Sequence, residues 1–267
     1  MAAGRRVSGL SRAGCAAAAL VRAFVLALGL ATAAGATELA VLSAGAIEPG
    51  VRPALVAFER ESGHSVKLSF ATAPQIRARI DAGERFDVVM APPALLDEFA
   101  QQGKVPADAA ERAPVGRVGL GVAVRAGVPV PDISNADAVR RALLEADSLV
   151  YNRASTGLYF EGLLKQMGID AQVAAKTTRY PDGASVMHHV LQGQGREIGV
   201  GAITEIVLLR AQGLQLVGPL PAPLQNFTAY AAVPMAGSAN ASAVSELLAH
   251  LRRSDTRAAL VAAGIAP

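Results

Sequence analysis

The 267-residue sequence contains one cysteine and no tryptophan. That cysteine, Cys15, lies in "SRAGC", ahead of an apolar run and without the leucine a lipoprotein signal requires. From residue 37 onward there is none, which excludes a disulfide, a thiolate metal site and a cysteine nucleophile there. With seven phenylalanines, four tyrosines and no tryptophan, the chain also lacks the ring faces of an aromatic sugar-stacking platform. Long hydrophobic runs are missing as well. The longest, Ala23 to Ala36, is shorter than the ~20 residues of a bilayer span.

Acids are absent from the first 36 residues, which carry Arg5, Arg6, Arg12 and Arg22. A basic flank, the run "AFVLALGLATAAGA" and an A-x-A site at Ala34–Ala36 are the three parts of a secretory signal peptide, with cleavage expected after Ala36. The twin arginines of "GRRVSGL" lack the flanking residues of a twin-arginine signal, so an ordinary secretory leader is expected. Without the leader, 21 basic residues face 22 acidic ones, a net charge of −1 in place of the +3 of the whole chain. The basic character therefore belongs to the leader, and no nucleic-acid partner is expected.

What remains alternates strand and helix. "LAVLSA" (39–44) is a short apolar strand, followed by Pro49 at a helix start and by Val51, Leu55 and Phe58 at helical spacing. "SVKLSF" precedes a helix opened by Pro74, with Ile76 and Ile80 on one face. "FDVVMA" precedes Pro92–Pro93 and a helix through Leu95, Leu96 and Phe99. Three strand–helix units in succession predict a parallel sheet covered by helices. A longer strand at 115–127 predicts a crossing into a second lobe with the same alternation: a helix at 136–145, the strand "SLVYN", helices at 155–167 and 184–191, and the strand "EIGVGAI". "NFTAYAAVPM" (226–235) predicts a second crossing, and the terminal helices return to the first lobe. The expected division is a leader at 1–36, a first lobe at 37–115 and 236–267, and a second lobe at 116–235 that includes the crossing strands.

In such sheets ligands bind beyond the strand carboxyl ends, where helix starts converge. Four of these turns are built from small or hydroxyl residues: "SAGAI" (43–47), "FATAP" (70–74), "NRASTG" (152–157) and "YPDGAS" (180–185). Small side chains let an anion reach the leading N–H groups, and each helix dipole adds about half a positive charge.

From "ELAVLSAGAIEPGV" through "VKLSFATAPQIRARIDAGERFDVVMAPP" to "EIGVGAITEI", the chain resembles the periplasmic molybdate-binding proteins of ABC importers. The resemblance implies two α/β lobes with a hinge of crossing strands, a monomer in the periplasm, and an oxyanion held by neutral hydroxyl and N–H donors. It also implies delivery to a membrane permease. The family's two ligand serines fall at Ala46 and Ala73, its backbone ligand positions at Thr156 and near Ala184, and its ligand tyrosine at Ala202. Three side-chain donors are thus replaced by methyl groups. Each charge-assisted hydrogen bond contributes on the order of 1.5–3 kcal/mol, so an unaltered molybdate pose would lose several orders of magnitude in affinity. Ser43, Thr72, Asn152, Ser155, Tyr180 and Ser185 are the local groups that can substitute, and Arg153 or Arg77 can pair a carboxylate bidentately.

Neither a metal nor a cofactor is expected, and no catalytic residue is assigned. The first expectation is a binding protein for a small anion. The alternative is an exported isomerase or receptor of small di- and tricarboxylic acids, since some relatives of binding proteins, aconitate isomerase among them, act on such acids. A base would then be sought among His188, His189, Asp182 and Glu205. The histidines are adjacent on one helix, about 100° apart, and cannot clasp one metal together. Asp182 reads first as turn chemistry and Glu205 as a helix-start carboxylate.

Overall fold

The computed structural model describes residues 36–106 and 112–267, so the expected leader up to residue 35 lies outside the described residues. The first three strand–helix units are β1 (Glu38–Ala44) with α1 (Glu48–Ser62), β2 (Ser65–Ala71) with α2 (Ala73–Asp81), and β3 (Val88–Ala91) with α3 (Pro93–Gln101). A single 3-10 turn, Gly45–Ile47, joins β1 to α1. β1 pairs in parallel with β2 and β3, which aligns three strand carboxyl ends on one edge.

The long strand β4 (Ala113–Arg125) belongs to both halves of the molecule. Residues 113–119 pair antiparallel with β9 (Phe227–Pro234), and residues 120–125 with β7 (Glu197–Ala202) and β8 (Leu214–Pro219). β9 pairs only with β3 and β4, so the chain is back in the first sheet by Phe227. The second half holds α4 (Ala136–Glu145), β5 (Ser148–Asn152), α5 (Ser155–Gln166), the short α6 (Asp170–Val173), β6 (Thr177–Tyr180), α7 (Gly183–Gln192) and α8 (Ile203–Leu208). β5 runs parallel to β6 and β7, giving the order β2-β1-β3-β9-β4-β7-β5-β6. The chain closes with α9 (Ala241–Arg252) and α10 (Ser254–Ala262).

Two strands, β6 and β8, go beyond the elements the sequence pattern predicted. Both are short, and β8 joins β4 where its register shifts, so neither carries a clean two-residue period. The "EIGVGAI" strand stops at Ala202, and Ile203 opens α8.

Each half has its own core. The first is built on Leu39, Val41, Leu42, Val88, Val89 and Met90 of the sheet, with Phe58, Phe99, Leu247 and Leu251 from the helices. In the second, the two-residue period of the strands divides the apolar residues between two faces. Leu120, Val122 and Val124 of β4 and Leu149 and Tyr151 of β5 face α4 and α5, whereas Ala123 and Val150 face α7. On the α7 side, β7 presents Gly199 and Gly201, where any side chain would collide with Val190 or Met187. Those two glycines let α7 lie close against the sheet, and so fix where its N-terminus meets the strand ends.

Candidate functional site

The turns after β1, β2, β3 and β5 meet around a cavity of about 30 Å³. The first half supplies Ala44, Gly45, Ala46, Ala71, Thr72, Ala73 and Pro92. The second supplies Asn152, Ala154, Ser155, Thr156 and Glu205, and Tyr230 of β9 closes one wall. An outer cavity of about 390 Å³ adjoins it, sharing Gly45, Ala71, Thr72 and Glu205. Its remaining wall includes Glu48, Phe70, Gln75, Asp182, Ala184, His188, Leu208 and Leu209.

The α5 turn is organised by Asn152, which is buried. Its Oδ1 accepts from the N–H groups of Ala154 (2.9 Å) and Gly157 (3.1 Å), and its Nδ2 donates to the Thr156 hydroxyl (3.0 Å). The leading N–H groups of Ser155 and Thr156 have no partner within the helix, which is the condition for receiving an anion. Gly157 is required here, because a Cβ would overlap the Asn152 carbonyl. At the β2–α2 turn, the Gln75 side-chain oxygen accepts both the Thr72 N–H (2.8 Å) and the Thr72 hydroxyl (2.9 Å). Thr72 therefore stands in the cavity with its proton already engaged. In the β1–α1 turn the Ala46 carbonyl accepts the hydroxyl of Thr204 on α8 at 2.5 Å, a direct bond between elements of the two halves.

Glu205 is the one ionisable side chain on the inner wall apart from Tyr230. It is half-buried in the first turn of α8, with its carboxylate against Gly183 at the start of α7 and close to Gly45. A Cβ on Gly183 would overlap that carboxylate. Loss of hydration pushes the Glu205 carboxyl up to about 7, opposed by a backbone hydrogen bond from Ala202 and reinforced by Asp182 and Glu48. Tyr230 is almost fully buried, and desolvation first, then the neighbouring Glu205 charge, holds its hydroxyl above the usual phenol range. It stays a neutral hydroxyl at any physiological pH.

The structure gathers Ala46, Thr72, Ala73, Ser155 and Thr156 on the inner cavity and Ala184 on the outer one. It places four other expected residues off both. Ser43 is fully buried with its hydroxyl toward the Ala44 carbonyl, and Ala202 is packed in the first core. Ser185 is half-buried and gives its N–H to the Asp182 cap (2.8 Å), and Arg153 is exposed. Arg77 is ion-paired with Glu98 at 2.5 Å on the surface. Of the two histidines, His188 lies on the outer cavity, whereas His189 bonds the Tyr180 hydroxyl through Nδ1 at 2.9 Å. Tyr230 is the wall residue that sequence reasoning missed. Its only signal was a polar-tipped ring at the inward register of "FTAYAAV", and nothing local shows which cavity that register faces.

Two α/β halves sharing β4, with parallel strand ends and helix starts converging on one cleft, define the two-lobed periplasmic binding-protein fold. More narrowly, the chain belongs to the bacterial extracellular solute-binding protein family, matching it over residues 39–266. It is 31% identical over 239 residues to an aconitate isomerase of Pseudomonas sp., covering 86% of this chain and 88% of the relative. Among solved structures, the fold is similar to the periplasmic molybdate-binding protein of Azotobacter vinelandii (17% identity, TM-score 0.71, 86% of this chain and 99% of that one). It is also similar to a sulfate-binding protein of Mycobacterium tuberculosis (18% identity, TM-score 0.69, 86% and 87%).

Proposed function

We propose that the cleft takes a small organic acid and that Glu205 moves a proton on it, making this chain an isomerase of unsaturated carboxylic acids on a binding-protein frame. The observation that carries this reading is the carboxyl of Glu205, held near neutrality on the wall where helix starts converge. The ionised form removes a proton from the carbon beside the substrate's double bond. The electron pair spreads over the double bond and the carboxylate, and the Glu205 carboxyl, whose proton exchanges with water, delivers a proton at the far end of the allylic system. Atoms balance, and no electron acceptor is needed. The N–H groups at the starts of α1 and α5 hold the substrate carboxylate, and Tyr230 supplies a neutral donor beside it. The relative named as an aconitate isomerase supports the same class of chemistry.

A second reading is a monomeric periplasmic receptor that hands a molybdate-like oxyanion to an ABC permease after export with cleavage at Ala36. What favours it is the wall of bare N–H groups and the two solved oxyanion-binding neighbours. Against it stand the methyl groups of Ala46 and Ala73 on that wall, and a carboxylate that repels a doubly charged anion.

The test is proton NMR in D2O of the protein with a panel of unsaturated mono-, di- and tricarboxylic acids, beside a thermal-shift screen of molybdate, tungstate and sulfate. Deuterium entering the allylic position together with a new isomer, both lost in Glu205→Gln while binding persists, is the expected result. Stabilisation by the oxyanions alone, with no exchange, would move the assignment to the receptor.

A further inference from the structure

The inner cavity, at about 30 Å³, has room for the head of an anion and little else. The outer cavity is more than ten times larger and shares the wall residues Gly45, Ala71, Thr72 and Glu205 with it. A tetrahedral oxyanion has no use for that second space. Its apolar surface comes from Phe70, Leu208 and Leu209, and Leu208 is 51% exposed.

The charges around the outer cavity limit what can lie there. Glu48 and Asp182 line it with Glu205, and among the described residues neither cavity wall contains an arginine or lysine. The Arg52 guanidinium is nearby, 5.1 Å over the Phe70 ring, but it is spent on Glu48 at 2.6 Å. Asp182 is spent on capping α7. His188 is the one basic group on the wall. With Arg52 already paired to Glu48 and no arginine or lysine on the wall, a second carboxylate on the ligand would lie near Asp182 and Glu205 and find no free guanidinium or ammonium to pair with. An uncharged carbon chain would instead cover Phe70 and Leu208.

We propose that the two cavities are one two-part site for an acid with a single anionic head: the carboxylate in the inner cavity, an uncharged apolar chain against Phe70 and Leu208, and Glu205 at the junction beside the first carbons. This rests on the organic-acid reading and narrows it, away from the polycarboxylates suggested by the aconitate isomerase relative.

Isothermal titration of the full chain with straight-chain 2-alkenoates of increasing length, with a tricarboxylate for comparison, tests it. Affinity should rise about three- to fourfold for each added methylene until the outer cavity is filled. Leu208→Trp narrows that cavity at an exposed position and supplies the chain's only tryptophan, so its fluorescence reports occupancy. In this variant the longest acid should bind at least tenfold more weakly and the shortest within twofold of the parent. Leu208→Asp, which introduces a charge without bulk, should give the same length-selective loss. Affinity that is flat with chain length, or tightest for the tricarboxylate, would overturn the two-part site while leaving the organic-acid reading intact. If no acid binds at all, that reading falls and takes this one with it.

Discussion

The two walls of the cleft are made differently. The first half contributes mostly backbone: Ala44, Gly45, Ala46, Ala71, Ala73 and Pro92, with two hydroxyls, that of Thr72, already engaged by Gln75, and that of the buried Tyr230. The second half contributes side chains, namely Asn152, Ser155, Thr156 and Glu205, with Asp182 and His188 further out. One wall offers N–H groups that cannot titrate, and the other holds the groups that can exchange protons. The difference separates holding an anion from acting on it, and it predicts that changes on the two walls fail in different ways.

The largest effect is expected where the second wall is wired to itself. Gly157→Ala drives a Cβ into the Asn152 carbonyl, a backbone atom that cannot yield without unseating the start of α5. A loss of about 3–4 kcal/mol is expected in chemical denaturation, with ligand binding abolished. A variant of near-parent stability would show that this turn is not rigid.

Next is Asn152→Ala, which leaves the N–H groups of Ala154 and Gly157 and the hydroxyl of Thr156 without their shared partner. About 2 kcal/mol should be lost, and Asn152→Asp, which keeps the acceptor, should recover most of it.

The pH dependence of stability isolates Glu205. Its carboxyl is raised in the folded state to about 7, so between about 4.5 and 7 the folded protein holds a proton that the unfolded chain has released. Stability contributed by this group is present below that window, falls as pH rises through it, and is level above 7. The drop is on the order of 2–3 kcal/mol, and Glu205→Gln should remove it from a series of denaturation curves. The same slope in the variant would place its origin elsewhere.

The smallest effect tests the join between the walls. Thr204→Val removes the hydroxyl that donates to the Ala46 carbonyl at 2.5 Å. About 1 kcal/mol of stability should go, with ligand affinity down severalfold because the first wall loses its link to α8. Unchanged affinity would mean that the two walls keep their spacing without that bond.

Much of the scaffold was legible in the sequence. The strands "LAVLSA", "SVKLSF" and "FDVVMA" were readable as members of a parallel sheet, and the prolines at 49, 74 and 93 as helix starts, because each signal is confined to a few neighbouring residues. The bare turns were legible for the same reason. β6 and β8 were not, since short edge segments carry no full period.

The candidate site was legible only in part. Ala46, Thr72, Ala73, Ser155 and Thr156 could be named because each sits at a fixed offset from a strand end. Glu205 was visible as a helix-start acid, and Tyr230 as one more residue of a strand. Nothing within either segment shows that 25 positions of chain bring them to one wall, or that Gly183 leaves space there for a carboxylate.

The sequence by itself determined the first three strand–helix units, the smallness of the turns and the absence of cysteine from residue 37 onward, because these depend on residue identity, covalent neighbours and a repeat of two or 3.6 residues. Only the tertiary structure decided which acid loses its water, which wall Tyr230 faces and that two cavities share part of one wall. Desolvation and contact depend on every element packed around a group, and most of those elements are distant in the chain.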